Sequence, residues 1–166
     1  MTNNIDSITP ESLFTPELTH WIKSSIPLLQ NMEVTFDQFE NGKLIISCPL
    51  EPNINDKGTA FGGSMAALAT LCGWLYTTLY ARTRVTYCEA VIADSQMTYH
   101  APASGPISAH CQAVIPEKFI TRLDERRNAK LELTVELYSC SEGSESEKPA
   151  PQKKVATYTG IYVAMP

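Results

Sequence analysis

Strict alternation runs through residues 131–137, where Leu131, Leu133, Val135 and Leu137 are separated by Glu132, Thr134 and Glu136. A period of two with apolar and polar positions interleaved predicts a strand that turns one face to a core and the other to solvent. Residues 91–100 alternate too, with Val91, Ala93, Ser95, Met97 and Tyr99 set against Ile92, Asp94, Gln96, Thr98 and His100. Residues 107–115 and 155–163 share the β-prone composition, so four strands are expected in the second half. Ahead of them, β-prone runs at 32–40 and 43–50 flank Asn41-Gly42. That dipeptide suits the two left-handed positions of a type I′ turn and predicts a hairpin. At 16–27 the period changes: Pro16-Glu17 followed by Leu18, Trp21, Ile22 and Ile26 predicts a short amphipathic helix ending near Pro27. Residues 1–15 read as a frayed N-terminus.

Residues 58–81 carry no charge and are long enough to span a bilayer. The segment opens on glycines, carries Thr70, Gly73, Thr77 and Thr78, and lacks the Leu/Ile/Val density of a lipid-facing span. It therefore reads as an enclosed helix over 62–80, with no membrane span. Met65, Leu68, Cys72, Leu75 and Leu79 form a bulky apolar face. Gly63, Ala66, Ala67, Thr70, Trp74 and Thr77 form a smaller, partly polar face suited to close approach of another helix or a ligand. Residues 116–130 read as a charged connector, and 141–152, rich in Ser, Glu and Pro, as a mobile hairpin loop. The element order predicts one α+β domain over 1–166, an antiparallel sheet wrapped around a central helix with its last four strands linked as hairpins.

The chain's 166 residues, 43% hydrophobic, suffice for one core without a staple. A net charge of −5 argues against a nucleic-acid partner. Five cysteines without close spacing read as reduced, mostly buried thiols in a cytoplasmic protein, and the polar first ten residues do not look like a secretory signal. His100 and His110 lack a third ligand at metal spacing, so no metal is expected.

The candidate chemistry lies in Asn55-Asp56-Lys57-Gly58-Thr59-Ala60-Phe61-Gly62-Gly63-Ser64, a polar, glycine-rich loop that runs into the start of the enclosed helix. Unpaired N–H groups there meet the positive end of the helix dipole and suit a carbonyl oxygen or an anion. A plain capping turn, with Ser64 or Asn55 satisfying the helix-end donors, fits the same residues.

Asn55-x-x-Gly58-x-x-Phe61-Gly62-Gly63, followed by a long helix and then by Tyr99-His100-Ala101-Pro102, resembles the hotdog-fold acyl-CoA thioesterases. The string from Gly58 to Ser64, with Gly73-Trp74 further along, is most similar to the thioesterase-like domain also found at the C-terminus of YiiD-type acetyltransferases. The resemblance implies a long central helix wrapped by a strongly curved antiparallel sheet. Two such units pair into a homodimer, or further into a dimer of dimers. It also implies a small-molecule acyl thioester substrate, with coenzyme A part of that substrate and no other cofactor. The Gly63 N–H would polarise the thioester carbonyl, Asn55 would position water or substrate, and Gly58, Phe61, Gly62, Ser64 and Trp74 would border the acyl group.

Two departures from the family pattern matter. Phe61 stands where the family usually has histidine, and the helix carries no Asp or Glu; the acid position falls at or next to Thr70. Threonine is too weak an acid to serve alone as a general base, which leaves it the role of orienting a water. Gly63 and Thr70 lie seven residues apart, about 10 Å along a helix, so one active site using both needs a second copy of the chain. Asp56 could supply a base but suits a solvated loop, and Asp94 suits the outer sheet face. Arg82, Arg84, Lys118, Arg122, Arg126, Arg127 and Lys130 read either as a patch for the phosphates of coenzyme A or as a solvated tip. Two functions follow: a thioesterase using direct water attack, or a non-catalytic acyl-CoA-binding or interaction module on the same fold. A β-hydroxyacyl dehydratase is disfavoured, because neither the loop nor the helix offers its His and acid pair.

Overall fold

Three helices, each opening on proline, begin the chain in a computed structural model that describes residues 8–140 and 152–166. They are α1 (Pro10–Leu13), α2 (Pro16–Ser25) and α3 (Pro27–Asn31). Proline costs nothing at the first helical position, where its missing N–H would have no partner. Thr9 and Thr15 cap α1 and α2 through their side chains. The end expected to fray therefore carries a helix from Pro10, and residues 1–7 lie outside the described residues. Pro27 holds Ile26 extended, so the chain restarts as α3 where the periodicity predicts an end. Glu11 accepts a hydrogen bond from the Gly42 N–H at 3.0 Å and pins α1 to the hairpin turn.

That hairpin is the predicted one, β1 (Thr35–Glu40) and β2 (Lys43–Cys48), with Asn41 and Gly42 at φ 52° and 70°. The enclosed helix, α4, runs Gly62–Arg82, followed by β3 (Glu89–Tyr99) and β4 (Ile107–Gln112). The segment read as a charged connector instead contains a helix, α5 (Glu117–Asp124), which buries Phe119 and Leu123 one turn apart. Strands β5 (Ala129–Ser139) and β6 (Lys153–Met165) complete one antiparallel sheet in the order β1-β2-β4-β5-β6-β3. The loop expected at 141–152 lies outside the described residues except for Gln152.

The order corrects one expectation. Strands β3 and β4 are not a hairpin: β3 pairs with β6 from Glu89↔Met165 to Tyr99↔Ala156, and the chain then crosses to the far side of β5 to form β4. The sheet's inner face closes on α4. Leu44, Ile46, Ala109, Cys111, Leu133, Val135, Tyr158 and Tyr162 are buried with Leu68, Cys72, Leu75 and Leu79 of the helix. This is the expected hotdog arrangement, a long central helix wrapped by a curved antiparallel sheet. Strand β3 differs from the rest in being exposed along almost its whole length. No helix among the described residues is long and apolar enough to cross a membrane.

Candidate functional site

Asn55 builds the loop ahead of α4. Its Oδ1 accepts from the N–H groups of Lys57 (2.8 Å) and Thr59 (3.2 Å), and its Nδ2 donates to Thr59 Oγ1 (3.0 Å) and the Ala60 carbonyl (3.3 Å). Its backbone N–H donates to Thr59 O at 2.7 Å. Gly58 supplies the left-handed bend, at φ 78°. The polar atoms of the Asn55 side chain are thus occupied within the loop, so Asn55 acts here as its brace rather than as a group facing substrate. Gly58 likewise has a turn role and does not border the groove described next. Asp56 pairs with Lys57 in solvent, at 2.9 Å.

Asn53 was not singled out from the sequence, yet it ties this loop to the body. It is buried, donates through Nδ2 to the carbonyls of Met32 (3.0 Å) and Pro49 (2.8 Å), and accepts the Phe61 N–H on its backbone oxygen at 2.7 Å. Its Oδ1 is buried without a partner. Local pattern gives little sign of this, because one of its two side-chain acceptors, the Met32 carbonyl, lies 21 residues away.

At the start of α4 the first intrahelical donor is Met65, to Phe61 O at 3.1 Å. The N–H groups of Gly62, Gly63 and Ser64 reach no acceptor among the described residues, and no side chain caps the helix. The capping turn with Asn55 or Ser64 is therefore not what forms. Both glycines are closely approached by neighbouring side chains. A β-carbon at Gly63 would stand 2.3 Å from the Phe61 ring, and one at Gly62 would stand 3.1 Å from the Tyr99 hydroxyl. That hydroxyl donates to Gly62 O at 2.9 Å. Gly62, Gly63, Met65, Tyr99 and Pro102 border an open groove of about 500 Å³. His100 also borders it, with its Nε2 held by Thr157 Oγ1 at 2.8 Å.

Thr70 lies two turns further on and borders a separate, largely apolar groove of about 310 Å³ with Ile26, Leu28, Leu71, Trp74 and Ile92. Its hydroxyl does not bond the carbonyl one turn back, as those of Thr77 and Thr78 do, but donates to the Tyr158 hydroxyl at 3.0 Å. Trp74 Nε1 donates to Ala90 O at 2.8 Å, fixing the indole as one wall. Gly63 and Thr70 thus open on different cavities of one protomer.

The basic residues do not join either groove. Arg84 is bidentate on Asp124, Arg127 pairs with Glu125, and Arg82 stacks on Trp21. Lys118, Arg122 and Lys130 line a cavity of about 640 Å³ beside α5. The Arg84–Asp124 bridge fixes α5 near the C-terminal end of α4, and the free amides lie at the other end, about 30 Å away. Asp94 is exposed. Cys72 is buried, its thiol held well above the ordinary range by burial. Among the described residues, no three His, Cys, Asp or Glu side chains gather in a way that could hold a metal ion.

Several solved structures share the whole architecture. A protein of unknown function from Chlorobaculum tepidum is 30% identical, with a TM-score of 0.77, over 96% of this chain and 98% of its own. A "putative thioesterase" from Shewanella oneidensis is 29% identical, with a TM-score of 0.75, over 90% of this chain and 96% of its own. A "probable thioesterase" from Pseudomonas aeruginosa, 20% identical with a TM-score of 0.71 over 92% of this chain and 96% of its own, is alike in fold. The family model described as "Putative thioesterase (yiiD_Cterm)" matches residues 15–166. With the hotdog fold and the glycine-led helix in place, the chain belongs to this YiiD C-terminal thioesterase family.

Proposed function

We propose that the protein hydrolyses acyl-CoA or acyl-carrier thioesters by direct attack of water. The observation that carries this reading is the row of unpartnered N–H groups at Gly62, Gly63 and Ser64, open at the positive end of α4. As water adds to the carbonyl carbon, negative charge gathers on the carbonyl oxygen, and donors already aimed at it stabilise it without reorganising. The C–S bond then breaks, and the departing sulfur takes up a proton to leave a carboxylic acid and a free thiol. Gly63 is the oxyanion donor and Gly62 borders the thioester, while Phe61 and Ser64 flank it from outside the groove's lining. Asn55 contributes by holding the loop, and Trp74 walls the acyl groove. Coenzyme A enters only as part of the substrate.

The water is oriented by Thr70 of a second copy, since Gly63 and Thr70 of one helix are about 10 Å apart. Strand β3, exposed along the sheet's edge with Ile92 beside the Thr70 groove, is where a twofold partner pairs. A homodimer is the minimal active unit, and a dimer of dimers is compatible with it. Five free cysteines suit a reducing compartment, the cytoplasm.

A second reading has its own support. The helix lacks a carboxylate and Thr70 gives its proton to Tyr158, which suits a non-catalytic acyl-CoA-binding module. Release of free thiol from acyl-CoA substrates of graded chain length decides between the two. Turnover that falls in Thr70→Ala, and in Asn55→Ala through loss of the braced loop, supports hydrolysis at this site, and unchanged turnover in both rejects the assignments. Tight acyl-CoA binding with no turnover across the series establishes the binding module.

A further inference from the structure

Strand β6 carries Tyr158-x-Gly160-x-Tyr162 on its inner face, and α4 carries Thr70-x-x-Gly73 opposite. The two motifs interlock. A β-carbon at Gly73 would stand 2.3 Å from the Tyr162 hydroxyl, and one at Gly160 would stand 2.8 Å from the rings of both tyrosines. The Tyr162 hydroxyl donates to the Thr70 backbone carbonyl at 3.0 Å and lies 3.5 Å from the Tyr158 hydroxyl. Both tyrosines are buried, and burial raises the Tyr162 phenol, so it is a neutral donor at physiological pH.

We infer that Tyr158 is a positioning residue for thioester hydrolysis, acting through Thr70. This rests on the hydrolytic reading above. A threonine hydroxyl has one proton and two lone pairs. The proton is committed to Tyr158, so toward the apolar groove Thr70 only accepts. A water held there donates one hydrogen to Thr70 Oγ1 and keeps its own lone pair free for the carbonyl carbon. Without Tyr158 the hydroxyl rotates, its proton competes for that lone pair, and the water is held in the wrong sense. Gly73 and Gly160 let the two tyrosines approach the helix closely enough to make these bonds.

Steady-state kinetics on the full chain test this, with Tyr158→Phe, Thr70→Val, Thr70→Ser and the double variant Tyr158→Phe/Thr70→Val. The expected result is a kcat reduced at least tenfold in Tyr158→Phe with KM within about twofold. Thr70→Val should match it, the double variant should be no slower than the slower single, and Thr70→Ser should retain most activity because serine keeps the same hydroxyl. Thermal unfolding of each variant separates this from loss of fold. Unchanged kcat in a folded Tyr158→Phe overturns the inference alone. If Tyr158→Phe does not fold, full activity in Thr70→Val overturns it from the other side. Absence of turnover by the unaltered protein overturns the hydrolytic reading and this inference with it.

Discussion

The Phe61 ring lies on Gly63 so closely that a β-carbon there would stand 2.3 Å from its Cε1 atom. The ring is 56% exposed and can swing outward at little cost. Gly63→Ala replaces a poor helix former by a good one, worth about 1 kcal/mol in a helix interior and less in its first turn. Thermal stability should therefore hold or rise while turnover falls at least tenfold, because the displaced ring or the new methyl crowds the carbonyl. Phe61→Ala in the Gly63→Ala background should restore part of the loss, measured by thiol release.

Asn55→Ala leaves the Lys57 and Thr59 N–H groups and the Ala60 carbonyl without the partner each has now. With Asn55 and Thr59 half-buried but Lys57 exposed to solvent, the expected loss is about 1 kcal/mol in urea unfolding. Asn55→Asp keeps both acceptor bonds and loses only the donors, so its stability and activity should fall between those of the parent and of Asn55→Ala.

The outer sheet face predicts a stability that falls in two stages on acidification. His110 is half-buried beside Ser108, and burial first, then Lys43, hold its pKa below the ordinary 6.5, against opposing pulls from Glu136 and Asp37. A depressed folded pKa means the unfolded chain protonates first as pH falls. This stability is thus present above 6.5 and lost as pH drops through the lower folded value. Glu136 has the same sign at lower pH, since the Tyr138 hydroxyl and then Lys154 hold its carboxyl below 4.5. Urea unfolding from about pH 8 to about pH 2 should show both stages, and His110→Gln should remove the first.

Thiol labelling should divide the cysteines. Burial pushes the Cys48 and Cys111 thiols up to about 12, and Cys72 well above its usual value. Alkylation requires the thiolate. Iodoacetamide should modify the half-buried Cys140 in the folded protein, and Cys48, Cys72 and Cys111 only after unfolding, as read by peptide mass spectrometry.

Features with local causes were legible in the chain. Asn41-Gly42 specifies its turn through backbone conformation within two residues, and the uncharged stretch, with its glycines and threonines, favours an enclosed helix over a membrane span. Helix α5 has a local signal too, in Phe119 and Leu123 four apart behind Pro116, but the surrounding charge outweighed it. The strand order was not legible, because alternation says which face is buried and nothing about which strand lies alongside. The site divides in the same way. The open amides at Gly62 and Gly63 follow from a helix start without a cap, whereas the partner of Thr70 stands 88 residues away in Tyr158. Asn55 was seen, but its bonds turn back into the loop, all within five residues.

Strand β6 follows β5 in the chain and yet separates it from β3 in the sheet. During synthesis, then, β3 leaves the ribosome well before β6, its pairing strand within the chain, has been translated. Throughout that interval its backbone donors and acceptors are open on both sides, a template for wrong pairing between nascent chains. The speed of elongation between Tyr99 and Lys153 therefore sets how long each new molecule is exposed to aggregation, and chaperones that hold nascent chains should act on this protein in that window.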